Sequence, residues 1–131
     1  MSLHDNSVYL CHMRDACLKI QEYTAGLTWE TFAQDGRTQD AVIRQLEVVG
    51  EASNRVSENL RNDNPQIPWR DIEAFRNVAA HEYDRVMSDM VWKVAQRDIP
   101  ELLNQLKSLF EISHENEPPQ LGHAKDLDMD R

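Results

Sequence analysis

The sequence predicts an all-α protein, an antiparallel four-helix bundle with a short extra helix and a kinked C-terminal helix. Only 4 glycines and 5 prolines interrupt the 131 residues, alternating strand patterns are hard to find, and apolar residues recur three and four positions apart. A chain of this length forms one domain with one modest core. We therefore expect the bundle over residues 1–113, followed by an acidic, flexible tail over residues 114–131.

Capping residues delimit the first two predicted helices. The first helix covers about residues 5–23 and ends at Gly26, which can adopt the left-handed conformation of a C-cap. Thr28 then caps a short helical turn. Asp35-Gly36 is the predicted exit from that turn.

The third predicted helix carries one continuous apolar stripe. It begins after Thr38, and a stop follows it at residues 61–65, where asparagine and proline cluster. Gly50 lies beside the stripe and lowers helix propensity by about 1 kcal/mol relative to alanine. A neighbouring backbone that approaches closely would offset this loss. The residues of the stripe are Val42, Leu46, Val49, Ser53, Val56 and Leu60.

Two further helices complete the prediction. The fourth runs from about Pro68 to Tyr83, and proline suits its first turn. The last starts near Ser88 as N-cap and runs to about residue 113, with a kink expected at Pro100. One face of the fourth helix is predicted to enter the core, and it consists of Ile72, Phe75, Ala79 and Tyr83.

Composition restricts the function classes. The formal net charge of -9 argues against binding of nucleic acid through bulk electrostatics, so an RNA ligand would need a local cationic site. The sequence contains no apolar run long enough to span a bilayer and no recognisable leader, so we expect a cytoplasmic protein without membrane contact. Cys11 and Cys17 do not form a CxxC pair, and the histidines lack ligand spacing. We therefore expect free thiols and no metal or cofactor.

The residue types in the run from Arg76 to Tyr83 suit work on a phosphate ester. Arg76 is a fixed cation whose fork matches phosphate geometry, and His81 changes charge near neutral pH. Asn77 can orient His81 or contact a phosphate, and Tyr83 offers a hydroxyl. On spacing alone, structural roles would be the more common explanation, with Tyr83 as a core aromatic.

Helix geometry separates the two principal residues of this run. On an ideal α-helix, Arg76 and His81 lie about 140° apart with about 7.5 Å of axial rise between them. Either the helix distorts toward its C-terminal end, or two copies meet across a two-fold axis and pool their residues. We favour the homodimer, since it also concentrates positive charge. Such a cleft could cleave RNA without metal, with Arg76 on the phosphate and His81 transferring a proton.

Two segments resemble the HEPN superfamily, specifically the HepT-like toxins. The first is Ile67-Pro68-Trp69-Arg70-Asp71-Ile72 followed by Arg76-Asn77-Val78-Ala79-Ala80-His81-Glu82-Tyr83, which fills every fixed position of the family pattern of arginine, a polar residue, three variable residues, histidine, one variable residue and tyrosine. The second is residues 44–52, which resemble the Gly-Glu-Ala helix before that motif. The resemblance covers roughly residues 5–113.

The resemblance implies a homodimeric endoribonuclease toxin paired with a minimal nucleotidyltransferase antitoxin. In that family the antitoxin adenylylates the motif tyrosine, which corresponds to Tyr83 here. A bulky anionic AMP beside Arg76 and His81 would occupy the phosphate site. The RNA target, mRNA or tRNA, stays open.

Two other functions remain open at this point. The chain could be a non-catalytic accessory subunit that docks on a nucleotidyltransferase and helps to bind its substrate. It could also be a structural dimer whose former active site no longer catalyses a reaction. Glu47 and Glu51 resemble a carboxylate pair, but Arg44 and Arg55 lie three or four residues away. Surface ion pairs are therefore the better interpretation of those glutamates.

Overall fold

The computed structural model describes residues 3–80 and 85–116, and helices dominate this part of the chain. No strand occurs among these residues, so the predicted all-α class is confirmed. The elements in chain order are α1 (Leu3–Thr24), α2 (Trp29–Ala33), α3 (Gly36–Arg55), α4 (Glu58–Asp63), α5 (Trp69–Glu73), a 3₁₀ segment (Ala74–Ala80), α6 (Arg85–Lys93), a π-helical turn (Val94–Asp98) and α7 (Ile99–Asn116).

Helix α3 lies at the centre of the bundle. It packs along α1 on one side and against α5 and the 3₁₀ segment on another, while α7 packs on α1. All six residues of the predicted apolar stripe are buried, four of them on α3, whereas Val56 and Leu60 lie beyond the end of that helix. Burial of these side chains supplies the main stabilisation of the helices.

The two predicted caps near the start of the chain are confirmed. Gly26 follows α1 with a φ of +78°, the left-handed conformation that glycine adopts without strain. Thr28 caps α2, where its side chain accepts from the backbone N–H of Thr31 at 3.2 Å. The Thr31 hydroxyl accepts from the Thr28 N–H in return, at 2.9 Å.

The start of α3 differs from the prediction. Helix α2 ends at Ala33 with Gln34 as its C-cap, and Asp35 is already the N-cap of α3, with Gly36 as the first residue of that helix. Asp35-Gly36, predicted as the exit from α2, therefore begins α3. The Asp35 carboxylate accepts from the Thr38 N–H at 3.1 Å and from the Thr38 hydroxyl at 2.6 Å, and these bonds lower the pKa of Asp35. Thr38 therefore donates to the cap and does not itself cap the helix.

The predicted third helix is broken near its end. Helix α3 stops at Arg55, Val56 is extended, and Ser57 caps the separate helix α4. The cause is a contact from α1: the Asn6 side chain accepts from the Ser57 N–H at 2.8 Å and donates to the Ser57 hydroxyl at 3.0 Å. These bonds hold Ser57 in the cap conformation while Val56 and Leu60 stay in the core.

The predicted fourth helix is also two elements. An α-helical part, α5, begins after Pro68 and gives way at Ala74 to the 3₁₀ segment. A 3₁₀ helix has three residues per turn and about 2 Å of rise, so angles calculated for an α-helix do not apply beyond residue 73. Ile72 is buried and Phe75 half-buried, as predicted for the core face, and Val78 is buried as well.

The C-terminal helix is distorted near Pro100, as predicted, by the π-helical turn Val94–Asp98. A proline lacks an N–H and clashes with the carbonyl four residues earlier, which is that of Gln96. The wider π turn removes the clash. The predicted start at Ser88 is wrong: α6 begins at Arg85 and Ser88 lies buried inside it.

The predicted acidic tail lies mostly outside the described residues. Helix α7 continues to Asn116, three residues past the predicted bundle boundary. The division into a bundle and a flexible tail stays a prediction. Among the described helices, none combines the length and apolar character that crossing a membrane requires.

Candidate active site

Two of the four predicted site residues lie on the 3₁₀ segment. Arg76 and Asn77 are both exposed there, in the part of the chain that packs on α3. His81 and Tyr83 lie outside the described residues. The geometry of the site therefore rests on Arg76, Asn77 and their neighbours.

Gly50 brings the backbone of Arg76 directly onto α3. A Cβ on residue 50 would lie 2.7 Å from the backbone nitrogen of Arg76 and 3.1 Å from the carbonyl oxygen of Ile72. Real Cβ atoms do not approach backbone atoms so closely, so only glycine fits without a shift. The close backbone approach predicted for Gly50 is confirmed, and Arg76 is the residue that makes it.

The guanidinium of Arg76 is held by a side chain from the next turn of α3. With the amide of Asn54 turned to meet both neighbours, its oxygen accepts from Arg76 Nη1 at 2.8 Å and its nitrogen donates to Glu73 Oε1 at 3.2 Å. Glu73 Oε2 accepts in turn from Arg61 Nη1 at 3.4 Å. Four side chains from three helices and the 3₁₀ segment thus form one polar chain that ends at Arg76.

Arg76 opens into a cleft of about 520 Å³ between α1 and α3. Three arginines, one histidine and two glutamates give the cleft its polar character. Its lining residues are Tyr9, His12, Arg44, Glu47, Val48, Glu51, Ala52, Arg55 and Arg76.

Ion pairs neutralise most of the charge in this cleft. Arg44 lies 3.8 Å from Glu47 and Arg55 lies 3.6 Å from Glu51, which confirms the predicted surface ion pairs. For Arg76, by contrast, no carboxylate of the described residues lies within 4 Å. The Arg76 guanidinium is therefore the cation most available to an anionic ligand here.

Asn77 lines a different cleft. That cleft has a volume of about 460 Å³, and its wall is largely apolar. Arg76 and Asn77 are neighbours in sequence but do not line the same cleft, so the structure does not bring them together. The walls of the second cleft include Leu46, Phe75, Val78, Met87, Met90, Val91 and Val94.

Metal ligands do not converge near Arg76 in the described structure. Across residues 3–80 and 85–116, no group of three or more histidine, cysteine or acidic side chains is placed to hold a metal ion. Cys11 is half-buried and Cys17 is buried, and both are free thiols, as predicted.

Residues 13–109 match the family model described as "Ribonuclease HepT-like", which covers most of the chain. The chain belongs to the HepT-like ribonuclease family. The family predicted from the two sequence segments is therefore confirmed. The match includes Gly50, Asn54 and Arg76, the three residues whose contacts define the site.

Several relatives of this HepT-like chain carry ribonuclease names. It is 37% identical over 101 residues to a protein of Thermococcus cleftensis named "Probable ribonuclease HepT", an alignment that covers 77% of this chain and 92% of that protein. It is also 31% identical to a candidate RNase of Caldanaerobacter subterraneus subsp. tengcongensis, in an alignment that covers 79% of this chain and 92% of that protein. A candidate RNase of Methanocaldococcus jannaschii is likewise 31% identical, and the alignment covers 86% of this chain and 90% of that protein. No solved structure matches the chain significantly.

The sequence analysis of this HepT-like chain missed Asn54. A signal was present, because Asn54 lies four residues after Gly50 and therefore on the same face of α3. Once Gly50 marks the point of close approach, the next residue on that face is expected to contact the approaching segment. His12 and Tyr9 of the cleft carried no comparable signal, since they lie on α1 and reach the site only through packing.

Proposed function

We propose that this HepT-like ribonuclease cleaves RNA internally and without a metal ion, with Arg76 on the scissile phosphate and His81 transferring protons. The observation that supports this most is the state of Arg76. Its guanidinium is exposed at an open cleft, is fixed by a neutral amide, and has no described carboxylate within ion-pair distance. An arginine in this state binds phosphate oxygens through charge-assisted hydrogen bonds.

The reaction is an internal displacement at phosphorus. The ribose 2'-oxygen forms a bond to phosphorus, the bond from phosphorus to the 5'-oxygen breaks, and a 2',3'-cyclic phosphate remains. The 2'-hydroxyl proton goes to a base, and the departing 5'-oxygen receives a proton from an acid. His81 serves as one or the other, and Arg76 stabilises the negative charge that builds up on the phosphate oxygens.

We propose that two copies of the chain form the active cleft. A two-fold contact duplicates every residue in it, so two copies of His81 can supply both the base and the acid. It also doubles the contribution of Arg76. This matters in a chain whose net charge is -9 and whose neighbouring arginines are already paired.

The proposed biological role is that of a toxin controlled by a minimal nucleotidyltransferase antitoxin in the cytoplasm. The antitoxin would adenylylate Tyr83, and the added AMP would compete with RNA for Arg76. Asn77 keeps the supporting role predicted from the sequence, which is to orient the His81 ring or contact the phosphate. These roles rest on the family resemblance together with the position of Tyr83 in the motif.

The nature of the products tests the chemistry. Sites of cleavage in total tRNA and in mRNA are mapped first, and an oligoribonucleotide is then made with a single 2'-deoxy sugar at a mapped site. We expect cyclic phosphate ends on the unmodified substrate and no cleavage at the deoxy position. Products with free 3'-hydroxyl ends, or cleavage of the deoxy substrate, would show that another mechanism operates.

The toxin role needs a separate test. The chain is expressed alone and together with a candidate minimal nucleotidyltransferase from the same genome, and growth is followed for wild type, His81→Ala and Tyr83→Phe. We expect wild type alone to arrest growth, His81→Ala to be harmless, and co-expression to add one adenylyl group to Tyr83 in the mass spectrum. Arrest by His81→Ala equal to that of wild type would contradict the catalytic role of His81.

The alternative is a non-catalytic accessory subunit of a nucleotidyltransferase. The net acidity and the paired arginines favour it, because a protein partner needs no cationic groove. This function predicts a stable complex with the nucleotidyltransferase whose substrate affinity changes on binding. It also predicts that the chain alone neither arrests growth nor cuts RNA.

A further inference from the structure

The polar chain from Arg61 to Arg76 ends in an unusual pairing for a surface arginine. Arg61 is paired with Glu73, Glu73 accepts from Asn54, and Asn54 accepts from Arg76. Arg76, at the end of this row of four side chains, is thus held by the neutral amide of Asn54. Glu73, the one carboxylate among the four, forms its ion pair with Arg61.

An amide partner fixes Arg76 without cancelling its charge. A guanidinium has five N–H donors, and the bond to Asn54 occupies one of them. The remaining donors, and the full positive charge, stay available to a phosphate. A carboxylate in the position of Asn54 would also accept from Arg76, but it would have no donor for Glu73 and would compete with an anionic ligand.

Both ends of Arg76 are fixed by the same helix. The backbone is held against Gly50, and the guanidinium is held by Asn54 one turn further along α3. Glu73 sets the orientation of the amide, because it accepts from the nitrogen and so directs the oxygen toward Arg76. Arg61 supplies the positive charge that balances Glu73.

We propose that Asn54 is a positioning residue for Arg76, oriented by Glu73, and that it keeps the guanidinium in place for an RNA phosphate while leaving its charge uncompensated. The inference rests on the proposed function of Arg76. It assigns a role to three residues, Asn54, Glu73 and Arg61, that lie outside the Arg76–Tyr83 motif and are not proposed to contact the substrate. Asn54 acts through Arg76 and does not itself touch the substrate.

Two substitutions of Asn54 separate the position of the Arg76 guanidinium from the charge beside it. Asn54→Asp is made together with Glu73→Gln, so that the second carboxylate oxygen faces an amide donor and not the Glu73 carboxylate. The pair keeps the shape and the acceptor for Arg76 but adds a negative charge beside it, so relative to Glu73→Gln alone we expect KM for a single-stranded oligoribonucleotide to rise at least about tenfold. Asn54→Ala releases the guanidinium, and a misplacement of about 1 Å can lower the rate about 10²-fold, so kcat should fall as well. The two variants therefore give different ratios of KM to kcat effects.

Two substitutions of Glu73 test its role in orienting the Asn54 amide. Glu73→Gln keeps one oxygen that can accept from Asn54, but its amide nitrogen then faces Arg61, so we expect activity between that of wild type and that of Glu73→Ala. Glu73→Ala loses the acceptor altogether and should resemble Asn54→Ala. Asn104→Asp is the control for the change in charge. Asn104 is exposed on α7 and lines a cleft that shares no residue with that of Arg76.

A spectroscopic measurement checks the constraint without relying on activity. Nitrogen-15 NMR of the Arg76 side chain should show separate Nη signals in wild type, because the bond to Asn54 restricts rotation of the guanidinium. The signals are assigned by their absence in Arg76→Lys. In Asn54→Ala they should merge, while thermal unfolding stays cooperative because Asn54 is exposed.

The outcomes distinguish this inference from the proposed function. If Arg76→Ala abolishes cleavage while both Asn54 variants and Glu73→Ala cut RNA as wild type does, the positioning role is wrong and the function of Arg76 stands. If Arg76→Ala cuts RNA as wild type does, the proposed function itself fails. Merged Nη signals in wild type would also overturn the positioning role.

Discussion

The backbone of Arg76 packs directly against Gly50, in the space that a side chain at residue 50 would fill. A Cβ at residue 50 would lie 2.7 Å from the Arg76 nitrogen. The helix that precedes the motif and the segment that carries it are therefore fixed to each other at one point. The position of Arg76, and with it the phosphate contact that we propose for it, depends on a residue 26 positions earlier in the chain.

Gly50→Ala should impair both stability and cleavage. The new methyl group meets backbone atoms, which cannot move aside as a flexible side chain can. Overpacking of this kind lowers the free energy of unfolding by about 1–3 kcal/mol, partly offset by about 1 kcal/mol of improved helix propensity. We expect a net loss of up to about 2 kcal/mol in urea unfolding, together with reduced RNA cleavage.

Gly36→Ala is the matched control. Gly36 also lies in α3, but nothing lies within 4 Å of the Cβ that alanine would add. The substitution should leave cleavage unchanged and raise the free energy of unfolding by up to about 1 kcal/mol. Equal effects of the two substitutions would mean that the contact with Arg76 has no energetic importance.

Asn6→Ala should destabilise the break between α3 and α4. Asn6 is buried and makes two hydrogen bonds to Ser57, and its loss would leave the Ser57 N–H without that acceptor. The Ser57 N–H is only partly buried, so we expect its loss of a partner to lower the free energy of unfolding by about 1 kcal/mol, near the lower end of the range for a buried donor. Chemical denaturation of wild type and Asn6→Ala measures the difference; unchanged stability would show that Ser57 caps α4 unaided.

The stability of the fold should fall in alkaline solution because of Cys17. Burial raises the pKa of the Cys17 thiol to about 12, from its ordinary value of 9.0. Between these values the unfolded chain releases the thiol proton and the folded chain retains it. The contribution of Cys17 to the free energy of unfolding is thus fully present below pH 9 and falls by about 1.4 kcal/mol per pH unit above it.

Comparison with Cys17→Ala isolates this effect from other groups that titrate in the same range. The stability difference between wild type and Cys17→Ala, measured by urea unfolding from pH 7 to 10.5, should be constant up to about pH 9 and then decrease. A difference that stays constant to pH 10.5 would mean that the thiol is accessible to solvent in the folded protein.

Local patterns in the sequence predicted those parts of the fold that depend on near neighbours. The stripe residues on α3, from Val42 to Ser53, are buried because periodicity decides which face of a helix is apolar. Gly26 and Thr28 act as caps because their own conformational preferences suffice. Gly50 predicted a close approach, although not the partner.

Three of the errors involve partners that are distant in sequence or a choice between two neighbouring caps. The break at Val56 depends on Asn6, 50 residues earlier, and no local signal announces it. The start of α3 is a choice between two good caps, Asp35 and Thr38, of which Asp35 is the one that accepts the hydrogen bonds. The 3₁₀ winding around Arg76 arises where the segment packs on α3, which helix propensity does not describe.

The most direct test of the account is RNA cleavage by purified wild type and Arg76→Ala in EDTA, with unfolding curves to confirm that both are folded. We expect wild type to cut RNA in the chelator and Arg76→Ala to be slower by about 10²-fold or more, as found when a group that stabilises transition-state charge is removed. Equal rates for the two proteins, or cleavage by wild type that needs added Mg²⁺, would contradict the central claim.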